Sequence, residues 1–490
     1  MNTFMNELTK ATNVKLTENG AVARKSTLSA LYDMFAFGGA YRNRTEEDCV
    51  LLFKNAYEEN AIYALKCLFY LGDVRGGQGE RRFFRVCFNW LAKNYPMVAA
   101  KYLDQIPEYR RWDDILYTCV GTPVEELALT YFSNQLMLDR GSKTPSLCGK
   151  WAPSENASAA DTKRMAGILR QHMGLTHKEY RKMLSSIRNK INIVERLMSE
   201  NRWDEIEFDK VPSKAGLRYS NAFAVKDVTA TRYKAFIESK ETKVHADTLY
   251  PYDIVRSALN CNTSNRDAVN KYWDNQKDYL NGQPCKMLCV CDTSGSMTWG
   301  AAGNVMPIDV AIGLSLYCAE RVGEPFRNHY ISFASRPQLI KTEGIDFVDK
   351  VKRIYRTNLC DNTDLVKTFN LLKDISLKAN PEDRLDTVVV ISDMEIDSGT
   401  WSYGRGCWDR ETAETEMERL RREWAAVGLK MPKLVYWNVN ARNNTILDAG
   451  PNVSFISGCS PIIFEQIMAG KTGFDLMMDK LNSKRYEAIS

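Results

Sequence analysis

The chain has 490 residues, of which 44% are hydrophobic and 26% are charged, with a net charge of +5. These fractions are typical of a globular protein and exclude a collagen-like, wholly disordered or membrane-spanning chain. The sequence lacks an apolar run of the ~20 residues that a membrane span needs and an apolar signal core at its start, so we expect a cytoplasmic protein without membrane contact.

The cysteines and histidines give little sign of a metal-binding or disulfide framework. Thirteen cysteines are scattered without a CxxC pair, and the chain has only four histidines. We therefore expect no zinc site, and free thiols in a reducing compartment.

After an N-terminal arm at 1–25, residues 26–275 are predicted to be helical almost throughout. Thr45 precedes three acidic residues, which is typical of a helix start. Apolar spacing predicts helices at 46–70 with a break near 58–60, from Glu80 onward, and at 96–105, 113–120, 124–139, 161–172 and 178–199. A run of short helices joined by polar turns is typical of an α-solenoid of HEAT-like repeats.

From residue 280 the pattern changes to alternating strands and helices. Strands are predicted at 287–291, 327–333, 387–391, 433–437 and 453–456, and helices at 308–322, 363–377, 410–427 and 461–468. This alternation predicts a doubly wound parallel sheet over 280–490, so the fold class is α plus α/β. Ligands of such sheets lie beyond the carboxyl ends of the strands.

Carboxylates and hydroxyls follow two of the predicted strands. Asp292, Ser294 and Ser296 follow the strand at 287–291, and Asp393 follows the strand at 387–391. These hard oxygen ligands suit Mg²⁺ best, with Mn²⁺ or Ca²⁺ as alternatives. A simple turn capped by the aspartate is the structural alternative.

This arrangement resembles the metal-ion-dependent adhesion site of von Willebrand factor A domains, whose pattern is D-x-S-x-S, then a distant Thr and a distant Asp. The positions that correspond are Asp292, Ser294, Ser296, Thr363 and Asp393. Thr363 is assigned by its order in the chain and its place at a helix start, and Asp364 is a possible substitute. The resemblance implies a Rossmann-like sheet and a bound divalent cation.

The helical region followed by this domain resembles the TROVE architecture of Ro-like proteins, and more closely an uncharacterised TROVE-like family of plants, fungi, large viruses and phages. The segments that carry the resemblance are DVRGGQGER at 73–81, RWDD at 111–114, YRKML at 180–184, KAG at 214–216 and LYPYD at 249–253. The resemblance implies a helical ring that is closed by the A domain. It also implies that the ring binds single-stranded ends or small structured RNA.

Basic residues are concentrated in the helical region. Residues 163–196 contain nine Lys and Arg against two Asp and Glu. A solvated helix face is one interpretation, and a phosphate-binding stripe is the other. The glycine-rich turn at 73–81 can hold a phosphate on its amides or be a tight interhelical turn with paired arginines. The candidate RNA contacts are Lys163, Arg164, Arg170, Lys178, Arg181, Lys182, Arg188, Lys190, Arg75 and Arg81.

Three functional hypotheses follow. The first is a non-enzymatic RNA-binding protein, a ribonucleoprotein component with a metal-bearing A domain. The second is a protein-interaction scaffold whose metal captures a partner's carboxylate without RNA. The third, a metal-dependent phosphoryl-transfer enzyme, is favoured least, because no histidine lies near the site motifs to serve as a general base and Ser294 stands where a dehalogenase-like acid would be.

Overall fold

The computed structural model describes residues 8–9, 12–191, 193–280, 285–299, 305–333, 336–357, 364–396, 415–448 and 450–490. Contacts divide the chain into two compact units. One unit comprises Met1–Cys67 and Leu249–Glu487, and the other comprises Leu68–Thr248 and Ala488–Ser490. The boundaries of these units differ from those of the predicted domains at 26–275 and 280–490. The domain ranges come from sequence patterns, and they stay a prediction.

The first unit contains a hairpin, helices and a six-stranded sheet. Its strands are β1 (Val14–Leu16), β2 (Val22–Arg24), β3 (Met287–Asp292), β4 (His329–Phe333), β5 (Gln338–Lys341), β6 (Thr387–Ser392), β7 (Lys433–Asn438) and β8 (Val453–Ser457). The order of the sheet is β5-β4-β3-β6-β7-β8. All neighbours are parallel except β4 and β5, so the fold class α plus α/β is confirmed, with a mixed rather than fully parallel sheet.

The first unit also contains helices in its described residues. They are α1 (Ala30–Phe37), α2 (Glu46–Glu59), α3 (Ala61–Gly72, which continues into the second unit), α15 (Pro251–Asn260), α16 (Arg266–Asp274), α17 (Pro307–Arg321), α18 (Phe347–Thr357), α19 (Leu365–Lys378), α20 (Glu416–Ala426), α21 (Phe464–Met468) and α22 (Gly473–Leu481). The predicted start of α2 is confirmed, because Thr45 accepts from the Asp48 amide and Asp48 accepts from the Thr45 amide.

Helix α17 lies in the interior, where every side chain from Pro307 to Ala319 is buried. Strand β6 is buried over all six residues, as its β-branched sequence predicts. At the edge strand β8, the Phe455 amide donates to the Tyr32 hydroxyl at 2.8 Å, and this hydrogen bond attaches α1 to β8. The sheet therefore has a continuous apolar core that holds the ends of β3 and β6 in place.

The second unit is helical in its described residues. After the end of α3 it contains α4 (Arg81–Asn94), α5 (Pro96–Lys101), α6 (Ile106–Tyr109), α7 (Asp113–Cys119), α8 (Glu125–Gly141), α9 (Cys148–Trp151), α10 (Ala160–His172), α11 (His177–Ile191), α12 (Val194–Ser199), α13 (Ser213–Val225) and α14 (Asp227–Glu238). Aromatic rings of α3, α4 and α6 form its core, with Phe69 against Phe84, Phe88 and Tyr109.

The prediction of one helix over 178–199 is wrong. Helix α11 ends at Ile191, and Ile193 has an extended backbone (φ −67°, ψ 131°) before α12 begins at Val194. Neither glycine nor proline marks this break, so apolar spacing alone could not locate it.

No helix in the described ranges is long and apolar enough to cross a membrane. Every cysteine that the structure describes is a free thiol.

Candidate functional site

The last residue of β3, Asp292, is fully buried at the carboxyl edge of the sheet. Its Oδ1 accepts from the Ser294 amide at 2.9 Å, and its Oδ2 accepts from the Ser392 hydroxyl at 2.5 Å. The hydroxyl oxygens of Ser294 and Ser296 lie 3.0 Å apart. The short turn after β3 therefore gathers one carboxylate and two hydroxyls.

Asp393 follows β6, which pairs in parallel with β3. Its carboxylate is fully buried, and Oδ1 accepts from the Glu395 amide at 3.3 Å. Its Oδ2 has no hydrogen-bond donor among the described residues, and the nearest cation is Arg442, whose Nε lies 3.5 Å away. A buried carboxylate oxygen without a donor is costly, unless a cation satisfies it.

The two carboxylates act on each other electrostatically. Burial, and then the negative charge of Asp292, raise the pKa of Asp393 to about 7, against the smaller lowering effects of Arg442 and of hydrogen bonds from Glu395 and Ser296. Two anions enclosed at one edge of a sheet repel each other, and a divalent cation between them would remove this repulsion.

The donor set fits a hard divalent cation. Two carboxylates and two hydroxyls offer oxygen ligands only, and the described residues contain no cluster of three or more His, Cys, Asp and Glu side chains with metal-binding geometry. A cation here would therefore depend on Asp292, Ser294, Ser296 and Asp393 together with water. The predicted ligand Thr363 lies outside the described residues.

The sequence patterns missed three residues around this edge. Ser392 orients Asp292, and Arg442 lies beside Asp393. Glu395 is buried and accepts from the Glu18 amide at 2.8 Å, which ties the segment after Asp393 to the N-terminal hairpin. Ser392 stands next to Asp393, so the sequence motif could have identified it. Arg442 comes from the segment after β7, and nothing in its neighbouring sequence indicates that it lies beside Asp393.

The predicted RNA contacts fall into two groups. Four are exposed and form no ion pair in the described part of the chain: Lys163, Lys178, Arg181 and Lys182. The three lysines have neither an ion pair nor a hydrogen bond in the described part of the chain, and Arg181 donates only to the His177 carbonyl. We call Lys178, Arg181 and Lys182 the basic face of α11, because their spacing places them on one side of the helix.

The remaining predicted contacts are engaged within the protein. Arg188 donates to the carbonyls of Gly149 and Ala152 and to the Ser154 hydroxyl, at 2.7–2.9 Å. The other engaged residues are Arg164 with Asp161, Arg170 with Glu155, Lys190 with the Arg140 and Ser142 carbonyls, Arg75 with the Glu108 carbonyl, and Arg81 with Asp113 and Asp114. Of the predicted RNA contacts, those without an ion pair or a hydrogen bond to another element in the described residues therefore lie on α10 and α11.

The glycine-rich turn at 73–81 is a tight interhelical turn. The amides of Gln78, Gly79 and Glu80 donate to backbone carbonyls, so they are not available to a phosphate. A Cβ at Gly77 would lie 1.8 Å from the Tyr70 carbonyl oxygen, which explains the glycine. The Glu80 carboxylate also caps the start of α4, where a phosphate would otherwise bind.

Arginines beside this turn form an ion-pair network around the buried carboxylates of Asp113 and Asp114. Arg110 and Arg85 contact Asp114 at 3.1 and 2.5 Å, and Arg111 and Arg85 contact Asp113. Burial raises the pKa of Asp114, but the neighbouring arginines outweigh it and lower that pKa to about 2. The motif segments at 73–81 and 111–114 therefore meet in one structural network.

The fold and the site define an α plus α/β protein with an oxygen-rich site at the carboxyl edge of its sheet. The family model described as a domain of unknown function, DUF2828, matches residues 17–111 and 129–297, more than half of the chain. This chain belongs to the DUF2828 family. A second domain of unknown function, DUF7788, matches residues 286–488.

The chain is also similar to an uncharacterized protein, L728, of Acanthamoeba polyphaga mimivirus, with 28% identity over 502 residues, 93% of this chain and 85% of the relative. Among solved structures, the Deinococcus radiodurans RO (RSR) protein is 15% identical with a TM-score of 0.40, covering 95% of this chain and 100% of that one. At this TM-score the likeness supports no inference about function.

Proposed function

We propose that this protein is a non-enzymatic RNA-binding protein and that the carboxyl edge of its sheet binds a divalent cation. The observation that carries the RNA part is the basic face of α11, where Lys178, Arg181 and Lys182 are exposed without an ion pair in the described part of the chain. The only acidic side chain of α11, Glu179, accepts from the Thr176 amide and hydroxyl at the helix start.

The arrangement favours a polyanion over a small anion. Lys178, Arg181 and Lys182 stand on an exposed helix surface rather than in an enclosing pocket, so they hold a single small anion weakly. A phosphate chain contacts several of them at once and gains from the release of its counterions. Arg181 also borders a cavity of about 550 Å³, which is large enough for an unstacked base.

The test is a filter-binding titration of the full chain with single-stranded RNA at several salt concentrations. Replacing Lys178, Arg181 and Lys182 with glutamine should reduce the slope of log affinity against log salt by up to about two, at roughly 0.7 per phosphate contact. The matched control replaces three cations that pair with neighbouring glutamates, namely Arg202, Lys210 and Lys234. Equal slopes in both variants would contradict this binding surface.

The cation part of the proposal rests on Asp393 Oδ2, which is buried beside Asp292 and has no hydrogen-bond donor among the described residues, with Arg442 as its distant ion-pair partner. Asp292, Ser294, Ser296 and Asp393 would hold the ion, most favourably Mg²⁺, and the resemblance adds Thr363. When bound, the ion supplies an electrophilic coordination position. The same geometry favours the second function, a scaffold on which a partner's carboxylate completes the coordination.

Thermal unfolding with and without Mg²⁺ tests the cation site. A ligand at 100 times its Kd stabilises a protein by about 2.7 kcal/mol, so wild type should unfold at a higher temperature with Mg²⁺. Asp393→Asn should lose this stabilisation, whereas Asp349→Asn, which changes an exposed ion pair of the same unit, should keep it. Equal Mg²⁺ effects in wild type and Asp393→Asn would show that the site is elsewhere.

A further inference from the structure

A second cavity lies at the amino edge of the sheet, opposite to the edge that carries Asp292 and Asp393. It has a volume of about 550 Å³ and is formed where β3, β6, β7 and β8 begin. Its position follows from the parallel arrangement, which brings the residues before these four strands together. Lys286 precedes β3, Arg384 and Asp386 precede β6, and Lys433 begins β7.

The lining of this cavity carries an excess of positive charge. Four cations line it, namely Lys286, Arg384, Lys430 and Lys433, against the single carboxylate of Asp386. None of the four forms an ion pair with a carboxylate in the ranges that the structure describes. Lys286, Arg384 and Lys433 donate only to backbone carbonyls, those of Glu382, Ala379 and Gly470.

Donor groups remain available in the cavity. An ammonium group has three hydrogens, so Lys286 and Lys433 each keep donors beyond their carbonyl bonds. Arg384 donates through one terminal nitrogen to the Ala379 carbonyl and keeps its other terminal hydrogens, whereas its Nε is buried. Lys430 is exposed and has neither a hydrogen bond nor an ion pair there. Four cations in one concave site attract an anion strongly, because the walls focus their field.

The floor of the cavity is apolar. Met287, Met431 and Ile467 line it and are at most 7% exposed, and the half-buried Leu385 and Met468 present further apolar surface to it. A volume of about 550 Å³ lies within the range of pockets that hold organic ligands, and it exceeds what a bare phosphate fills. The combination of a cationic rim and an apolar floor fits a ligand that carries both phosphate and an apolar or aromatic body.

We propose that this amino-edge cavity binds a small phosphorylated organic ligand of the nucleoside diphosphate type. Such a ligand would place its phosphates among Lys286, Arg384, Lys430 and Lys433 and its body on the methionine floor. The proposal is independent of RNA binding by α11 and of the cation site, since it uses neither set of residues.

Calorimetric titration of the full chain tests this site, with ADP and inorganic pyrophosphate as probes and with a chelator present so that no cation bridges the probe to Asp292 and Asp393. ADP should bind at least tenfold more tightly than pyrophosphate, because only ADP contacts the apolar floor. Lys430→Glu should weaken ADP binding roughly tenfold or more, since it removes one charged contact and adds repulsion.

Two controls keep the result interpretable. Lys484→Glu makes the same charge change at another exposed lysine of the same unit and should leave ADP binding unchanged. Asp393→Asn should also leave it unchanged. Three results would each overturn the proposal: no ADP binding to folded wild type, equal affinity for ADP and pyrophosphate, or equal ADP affinity of wild type and Lys430→Glu. Because Lys430 is exposed, its replacement leaves the packing intact, and Lys433→Gln provides a second variant.

Discussion

Replacing Asp114 with asparagine tests whether the arginine-rich motif segments serve structure. Asp114 is fully buried, and it holds Arg110, whose side chain is 1% exposed, at 3.1 Å. Arg110 in turn donates to the carbonyls of Gly72 and Glu80, which fixes the glycine-rich turn. Asparagine keeps the shape of the side chain but leaves Arg110 without a carboxylate partner, whereas Arg81 and Arg85 keep Asp113.

The magnitude follows from the pKa of Asp114, which falls from 3.8 to about 2. At about 1.36 kcal/mol for each pKa unit, the ionised carboxylate contributes roughly 2.5 kcal/mol to stability. Because the pKa is lowered in the folded state, this contribution is present above pH ~4 and is lost as the pH falls toward 2. Asp114→Asn should cost more, roughly 3–5 kcal/mol, since it also leaves Arg110 buried and unpaired.

Native-state hydrogen exchange of the α4 and α7 amides measures this loss locally, which suits a chain of two compact units. The control is the double variant Arg110→Met with Asp114→Leu, which removes both charges and should lose much less stability than the two single variants combined. A loss under about 0.5 kcal/mol in Asp114→Asn, or full additivity in the double variant, would refute the structural role of the network.

Two further predictions follow from the packing of the helical unit. Arg188→Gln should lower stability by roughly 1.5–3 kcal/mol, because it removes charge-assisted bonds to Gly149, Ala152 and Ser154, yet leave the salt slope of RNA binding unchanged. Thermal unfolding and filter binding measure the two effects, and a reduced slope with unchanged stability would show that Arg188 contacts RNA. Gly77→Ala should lower the free energy of unfolding by about 2 kcal/mol or more, because its Cβ would meet the Tyr70 carbonyl. Gly141→Ala, which has open space around its Cβ, should be nearly neutral. Denaturant unfolding measures both variants, and equal effects would contradict the close approach at Gly77.

The helices and strands were predictable where the pattern of apolar residues is strong within a short segment of sequence. The buried run of β6 and the apolar spacing of α7 and α10 identify these elements from sequence. Strand β5 was missed because it is a four-residue edge strand with mostly exposed side chains, so it lacks the alternation that marks a half-buried strand.

The carboxyl-edge site was predictable because it depends on one topological rule. Parallel pairing of β3 with β6 brings Asp292 and Asp393 to the same edge, although one hundred residues separate Asp292 from Ser392. The basic residues were harder to assign, because sequence gives the charge of Arg188 but not the three acceptors around it. Local charge density therefore overestimates the number of cations that a phosphate can reach.

The most direct test of the central proposal is the salt dependence of single-stranded RNA binding by the wild-type full chain. If Lys163 and the basic face of α11 each contact a phosphate, log affinity should fall against log salt with a slope of roughly −3. The measurement is a filter-binding series from low to physiological salt. A slope near this value supports RNA binding through phosphates, and no measurable binding even at low salt would contradict it and favour the metal-dependent interaction scaffold.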